Sequence, residues 1–205
     1  MALKTRLLSA AALLALAACG SQTDEDRSTK DQAPAGQLAP TGDALALRLD
    51  TLDAAVMKWQ TATDLVTAHA AAEEVRNLVV GPAGPIYDDA DRDGEVAGAS
   101  DEGLLPGTRG QVALVAGEAD RCLLQNVLGG SWTDPGARWA QALIAFDSWR
   151  PGNDAISSLP SPTMRLVGWA TLGLESLRID ASRDFAQQAA HELQSVRRAI
   201  EGCAA

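Results

Sequence analysis

The sequence contains little of what catalytic sites are usually built from. Its 205 residues include only two histidines and one tyrosine, and neither histidine has a recognisable serine or cysteine partner. A glycine-rich phosphate loop, a Gly-x-Ser-x-Gly turn and a Cys-x-x-Cys-His haem attachment motif are all absent. The residues therefore predict no catalytic constellation, and a binding or interaction role is favoured over an enzyme.

Positive charge is also scarce. The chain carries 17 basic residues against 27 acidic ones, which gives a formal net charge of −10. Such an excess of negative charge argues against nucleic acid as a partner and against direct adhesion to anionic lipid. It favours cations as ligands.

The sequence lacks the pattern of a half-buried strand, because no stretch alternates β-branched with polar residues, and it lacks internal repeats. Apolar residues recur instead at spacings of three or four, which is the period of an amphipathic helix. This period runs through residues 43–80, as one long helix or two in series, and returns in residues 111–128. Gly81-Pro82 and Gly129-Gly130 are expected to end these segments.

Three further helices are expected. Asp134-Pro135 and Ser161-Pro162 each place proline directly after an N-cap side chain, and a last helix is expected from Asp180 or Ser182 to Gly202. We therefore predict an all-α fold for residues 42–205, an antiparallel bundle of four or five helices. One long acidic loop, residues 81–110, separates the first and second long helices, and connections of that length are usually functional or disordered.

The N-terminus has the order of a secretory leader. Two cations, Lys4 and Arg6, precede an apolar run of about ten residues, which is too short to cross a bilayer. Ala17-Ala18-Cys19-Gly20 then resembles the bacterial lipobox, in which the cysteine is acylated with palmitate-type chains and the leader is cut before it. The resemblance implies a signal peptide over residues 1–18 and a lipid on Cys19 that anchors the protein to a membrane. An ordinary secretory leader with an incidental cysteine is the alternative.

Residues 19–41 are expected to form a disordered tether behind the lipid. They are rich in Ser, Thr, Asp, Gln, Pro and Gly and carry almost no apolar side chain to bury. Neither Gly20 nor Ser21, the two residues after the cysteine, is the aspartate that would resemble an inner-membrane retention signal. The lipobox resemblance therefore implies an extracytoplasmic domain on the outer membrane of a Gram-negative cell, or on the cell surface of a Gram-positive one.

Two cysteines remain once Cys19 is assigned to lipid. Cys122 and Cys203 form an even pair in what is expected to be an oxidising compartment, so a disulfide is the default expectation. Two buried free thiols are the alternative, since the sequence does not show whether the two Cα atoms come within about 7 Å.

The acidic loop contains a regular pattern of carboxylates. Counted from Asp89 as position 1, Asp91 and Asp93 fall at positions 3 and 5, Gly94 at position 6 and the backbone carbonyl of Glu95 at position 7. Alternate residues in a tight turn point their oxygens at one centre, and glycine permits the bend. The pattern resembles the EF-hand loop and, more closely, the dockerin-like loops of bacterial extracellular calcium modules. The resemblance implies that these residues bind calcium.

Two departures from the EF-hand pattern weaken the expected site. Ser100 stands at position 12, where the family has a bidentate glutamate, and Pro82 and Pro85 prevent an ordinary helix from running straight into the loop. Asp101 and Glu102 are the candidates to supply the missing ligand from a displaced position. A solvated acidic turn without metal is the alternative.

The sequence thus predicts a lipid-anchored cell-envelope protein with a structural calcium loop, which acts as a binding or interaction module for an envelope protein or a small ligand. The stretch from Asn77 to Gly107 resembles a block in uncharacterised exported helical proteins of bacteria and implies no activity. Two other interpretations are open. One is a metal-dependent envelope hydrolase that uses His69, Glu73 and His191. The other is a carrier that holds a small ligand inside the bundle.

Overall fold

The computed structural model describes residues 42–99, 101–115, 121–150 and 152–204. The predicted signal peptide, Cys19, the predicted tether and Ser100 lie outside the described residues. The described residues contain helices and no strand, which confirms the predicted all-α class, and none of these helices combines the length and apolar composition needed to cross a membrane. The helices are α1 Gly42–Thr61, α2 Leu65–Val80, α3 Arg121–Asn126, α4 Pro135–Ser148, α5 Pro162–Glu175 and α6 Ile179–Ala204, with a 3₁₀ turn at Ile156–Ser158.

The periodic segment at residues 43–80 forms two helices in series. Asp64 separates them, because its Oδ1 accepts a hydrogen bond from the Thr67 N–H at 2.8 Å and so caps the first turn of α2. The backbone and side-chain hydrogen bonds from Thr67 lower the pKa of the Asp64 carboxyl. As predicted, α2 ends before Gly81, which adopts a positive φ of 67°.

The two predicted Asx/Ser-Pro starts are confirmed. Asp134 Oδ1 accepts a hydrogen bond from the Ala137 N–H at 3.0 Å at the start of α4. Ser161 Oγ accepts one from the Met164 N–H at 2.9 Å at the start of α5. In both helices the proline occupies the first turn. N–H groups in the first turn have no acceptor within the helix, so proline loses no hydrogen bond there.

The prediction of a long second helix over residues 111–128 is wrong at its N-terminal end. Residues 111–115 are not helical, and α3 contains only six residues. Leu114 and Val115 are nevertheless buried, and the Leu114 N–H donates to the Gly103 carbonyl at 2.8 Å. Their apolar side chains therefore belong to a connection packed on the core, not to a helical face. The last helix also runs past Gly202 to Ala204.

Four helices, α1, α2, α5 and α6, pack together as a bundle in which α1 contacts α2 and α6, and α5 also contacts α2 and α6. Near the end of α1, Trp59 Nε1 donates to Ser182 Oγ at the start of α6 at 2.9 Å. Towards the start of α1, Asp50 pairs with Arg197 near the end of α6 at 2.8 Å. These two contacts show that α1 and α6 run antiparallel.

The centre of the bundle depends on one close approach. Trp59 is fully buried, and its ring lies against Gly173 of α5. A Cβ atom at Gly173 would lie 2.1 Å from Trp59 Cζ2, so a side chain there has no room. The largest side chain of the core is thus accommodated by the smallest residue of the helix it faces.

The predicted disulfide is present between α3 and the last turn of α6. The sulfur atoms of Cys122 and Cys203 are 2.04 Å apart, and the two Cα atoms are separated by 5.5 Å. Cys203 was expected just beyond the last helix but lies within it. The bond holds the short helix α3 against the bundle.

Candidate metal centre

A buried glutamate on α2 organises the acidic loop. Glu73 is only 1% exposed, and its Oε2 accepts hydrogen bonds from the backbone N–H groups of Ala90 at 2.6 Å and Asp91 at 3.0 Å. Its Oε1 accepts one from the Ala97 N–H at 2.8 Å. Three backbone donors offset the cost of burying this carboxylate, and they attach both ends of one turn to the same helix.

Two neighbours of Glu73 hold the same turn. The guanidinium of Arg76 donates to the Asp88 carboxylate. Asn77 Nδ2 donates to the carbonyls of Asp88 at 3.0 Å and Ala97 at 2.8 Å. Because Glu73, Arg76 and Asn77 are three and four residues apart, they share one face of α2. We refer to the segment that they hold, residues 88–97, as the carboxylate turn.

The carboxylate turn is folded by its own side chains. Asp89 accepts hydrogen bonds from the N–H groups of Asp93 at 3.1 Å and Gly94 at 3.0 Å. Asp93 Oδ1 in turn accepts one from the Glu95 N–H at 2.8 Å. Gly94 has a φ of 96°, which glycine adopts without strain, as the sequence pattern predicts. Arg92 also has a positive φ, of 63°, which side chains rarely adopt.

Three carboxylates converge at this turn. Among the described residues, Glu73, Asp89 and Asp91 each place one oxygen so that the three atoms lie within 4.8 Å of one another. Burial raises the pKa of the Asp91 carboxyl, and the negative charges of Asp93 and Asp89 raise it further, against an opposing hydrogen bond from the Asp93 N–H. Like charges so close together favour a cation that neutralises them.

The donor set is compatible with calcium. Calcium prefers carboxylate and carbonyl oxygens and accepts irregular coordination. All three converging atoms are oxygens, and Glu73 Oε1 keeps acceptor capacity because, within the described residues, it receives one N–H. Asp93 and Glu95 lie in the same turn, where both side chains are exposed and stand outside the converging group.

Asp101 and Glu102, the predicted substitutes for the missing position-12 ligand, lie against a different partner. The buried guanidinium of Arg48 pairs with the Asp101 carboxylate and donates to the Glu102 carbonyl at 2.7 Å. It also donates to the Leu78 carbonyl at the end of α2 at 2.9 Å. The structure thus places both residues at a junction between α1 and the loop, and not in the converging carboxylate group.

Among the described residues, neither histidine joins the three converging carboxylates, although His69 lines the same cavity as Asp89 and Asp91. His69 Nε2 lies 3.0 Å from the Ser176 carbonyl, at the turn between α5 and α6. His191 is exposed on α6. Within the described residues, neither belongs to the group of three convergent ligand atoms. The sequence had paired Glu73 with His69, whereas the structure brings Glu73 to Asp89 and Asp91.

Comparisons of the chain with protein-family models, with curated proteins and with solved structures give no match. The residues and geometry of the site are therefore the only basis for a functional proposal.

Proposed function

We propose that this protein is a lipid-anchored component of a bacterial cell envelope whose helical domain binds calcium at the carboxylate turn. The observation that carries the proposal is the convergence of Glu73, Asp89 and Asp91 within 4.8 Å. It coincides with the calcium-loop pattern that begins at Asp89, so sequence spacing and geometry select the same turn. In this proposal the domain is a binding or interaction module and not an enzyme.

Each residue of the turn has a role in the proposal. Asp89 and Asp91 would hold the ion from the turn, and Glu73 would hold it from α2. Asp93 and the Glu95 carbonyl, at positions 5 and 7 of the loop pattern, would complete the protein's ligands. A bound calcium ion supplies positive charge that offsets the repulsion among the carboxylates. The hydrogen bonds from Arg76 and Asn77 to the turn keep it on α2, so the ion would stabilise the loop and α2 together.

Thermal unfolding with calcium and with a chelator tests the calcium site. If the dissociation constant is in the range of about 10⁻⁴ to 10⁻³ M typical of extracellular modules, 10 mM calcium adds roughly 1.4–2.7 kcal/mol. For a domain of this size that raises Tm by roughly 3–10 °C. Identical melting curves in calcium and in chelator would refute the site.

A matched pair of variants locates the effect. Asp91→Asn keeps an oxygen to accept the Asp93 N–H bond but removes the charge, so it should abolish most of the calcium-dependent shift. Asp184→Asn removes an exposed carboxylate on α6 and should leave the shift intact. Metal analysis of the purified protein separates this proposal from a hydrolase, which would hold zinc or iron at one ion per chain.

The envelope location is tested at Cys19. We propose that acylation there holds the acidic domain at a membrane surface, because two or three acyl chains give stable attachment. The Cys122–Cys203 pair at disulfide distance supports an oxidising compartment. Cys19→Ala should move the protein from the membrane fraction to the soluble extracytoplasmic fraction. An unmodified Met1 on the native protein, shown by intact mass, would contradict the proposal.

A further inference from the structure

A second candidate site lies where the chain leaves α2, and its lining shares no residue with the carboxylate turn. It is an open cavity of about 510 Å³, a volume typical of sites for small molecules. Most of its lining is apolar, and the apolar side chains come from the end of α2 and from the returning part of the loop: Val80, Pro82, Ala83, Leu105 and Val112.

The floor of the cavity is fixed by close backbone contacts. Leu104 and Leu105 both donate their N–H groups to the Val79 carbonyl, at 2.8 and 3.1 Å. A Cβ atom on Gly103 would lie 2.5 Å from that same carbonyl, so only glycine allows the approach. Gly107 is equally restricted, since its Cβ would lie 2.5 Å from the Ala83 Cβ. Close backbone packing therefore fixes the chain at Gly103 and Gly107, two of the residues that line the cavity.

The charge at the rim comes from one residue. Asp101 and Glu102 both line the cavity, but the Asp101 carboxylate is neutralised by its ion pair with Arg48. Within the described part of the chain, the Glu102 carboxylate has no hydrogen-bond or ion-pair partner, and its side chain is exposed. Val112, which lines the same cavity, is 58% exposed and so offers an accessible apolar surface. An apolar wall thus stands next to an uncompensated negative charge.

We propose that this cavity binds a small organic cation, an amine or ammonium ion with a compact apolar body. The body would cover Pro82, Ala83 and Val112, which line the cavity and are at least partly exposed, and the cationic head would pair with Glu102. The negative net charge of the chain favours such ligands over anions. The site requires no calcium, so this inference goes beyond the proposed function and stands or falls separately from it.

Ligand-detected NMR on the full mature chain tests the proposal, with a chelator present to remove calcium. It compares two probes of similar shape, one charged and one neutral. Cyclohexylammonium should bind up to about fivefold more tightly than cyclohexanol, because both can donate a hydrogen bond to Glu102 but only the cation forms an ion pair with it. Methylammonium, which has the charge but almost no apolar body, should also bind about tenfold more weakly than cyclohexylammonium. Equal affinities for the ammonium ion and the alcohol would overturn the assignment of a cation.

Variants show whether Glu102 is responsible. Glu102→Gln should reduce the affinity for cyclohexylammonium to that for cyclohexanol, and Glu102→Asp should retain part of the preference. Glu201→Gln, which removes an exposed carboxylate on α6, should leave both affinities unchanged. If Glu102→Gln keeps the full preference while its Tm matches that of the wild type, the cation binds elsewhere and the inference is wrong.

Discussion

Glu73 is the residue on which the loop most depends. Its carboxylate is buried in α2 and receives the backbone N–H groups of Ala90, Asp91 and Ala97. Nothing else in the described structure reaches both ends of the carboxylate turn with one side chain except Asn77, which does so through its amide. Glu73 thus has a structural role in addition to its proposed role as a calcium ligand. Mutation of Glu73 in the absence of calcium tests the structural role alone.

We expect Glu73→Gln to destabilise the domain by about 2–4 kcal/mol in chelator. The glutamine amide has only one acceptor oxygen, so at least one of the three partly buried N–H groups, from Ala90, Asp91 and Ala97, loses its acceptor and faces a donor instead. Urea unfolding monitored by circular dichroism measures the change. Glu74→Gln is the control, because that carboxylate makes only a weak pair with Lys58 at 3.5 Å and should cost under about 1 kcal/mol. Equal losses for the two variants would exclude the proposed anchoring role.

At the scale of single residues, the sequence predicted an acidic turn that begins at Asp89, but it did not predict that Glu73 of α2 holds this turn. The spacing of Asp89, Asp91, Asp93 and Gly94 is local, and in the structure Asp89 accepts hydrogen bonds from the N–H groups of Asp93 and Gly94. Asp89 and Asp91 converge with Glu73 and not with Asp93, and calcium binding at the turn stays a prediction. Glu73 accepts from backbone N–H groups 17 to 24 residues away, and backbone donors leave no trace in residue identity. The signal that was available is a polar triplet, Glu73, Arg76 and Asn77, among the buried residues of α2, whose other members are apolar.

At the scale of whole helices, the packing of α5 on Trp59 gives a sharp test. Gly173→Ala should destabilise the protein by about 1–3 kcal/mol or more, because the new methyl group would overlap the buried indole ring. Gly202→Ala provides the control near the end of α6, where a Cβ meets no atom within 4 Å. That change should be neutral or stabilising by up to about 1 kcal/mol. Chemical unfolding of both variants measures the difference, and a neutral Gly173→Ala would contradict the described packing.

The break between α1 and α2 should be sensitive to pH. The pKa of Asp64 is lowered by its bonds to Thr67, so its capping contribution is present above the ordinary aspartate pKa and is lost as pH falls through the lowered folded value. Asp64→Ala should therefore lower Tm at pH 7, and the deficit should shrink in acid. Asp64→Asn keeps an acceptor and should retain most of the wild-type Tm at pH 7. A deficit for Asp64→Ala that is constant down to pH 2 would contradict the capping role.

Helix positions were predictable where capping chemistry accompanied the apolar period. Asp134-Pro135 and Ser161-Pro162 each fix a start within a few residues, and both starts are observed. Residues 111–115 have the same apolar period without a cap, and there the prediction failed. Leu114 and Val115 lie in an irregular connection, where both side chains are buried and the Leu114 N–H donates to the Gly103 carbonyl. Periodicity alone does not distinguish that arrangement from a helix.

At the scale of the whole molecule, the covalent link between Cys122 and Cys203 restricts the unfolded chain. It spans 81 residues of sequence, for which the chain-entropy model gives a contribution of about 4.5 kcal/mol. Replacing both cysteines by serine should therefore reduce the free energy of unfolding by about 2–4.5 kcal/mol, measured in urea against the oxidised wild type. Wild type treated with reductant is the control and should match the double variant. A loss under about 0.5 kcal/mol would show that the bond is incidental.

The Cys122–Cys203 disulfide also determines what happens to the protein when a protease cuts the chain. The connection between α4 and α5 includes exposed polar residues at 152–154, the kind of segment at which proteolytic nicking starts. A cut there falls inside the loop that the disulfide closes, so the two fragments would remain covalently joined. With α5 and α6 still packed against α1 and α2, a nicked molecule would keep its bundle, and under denaturing conditions its two fragments would separate only after reduction.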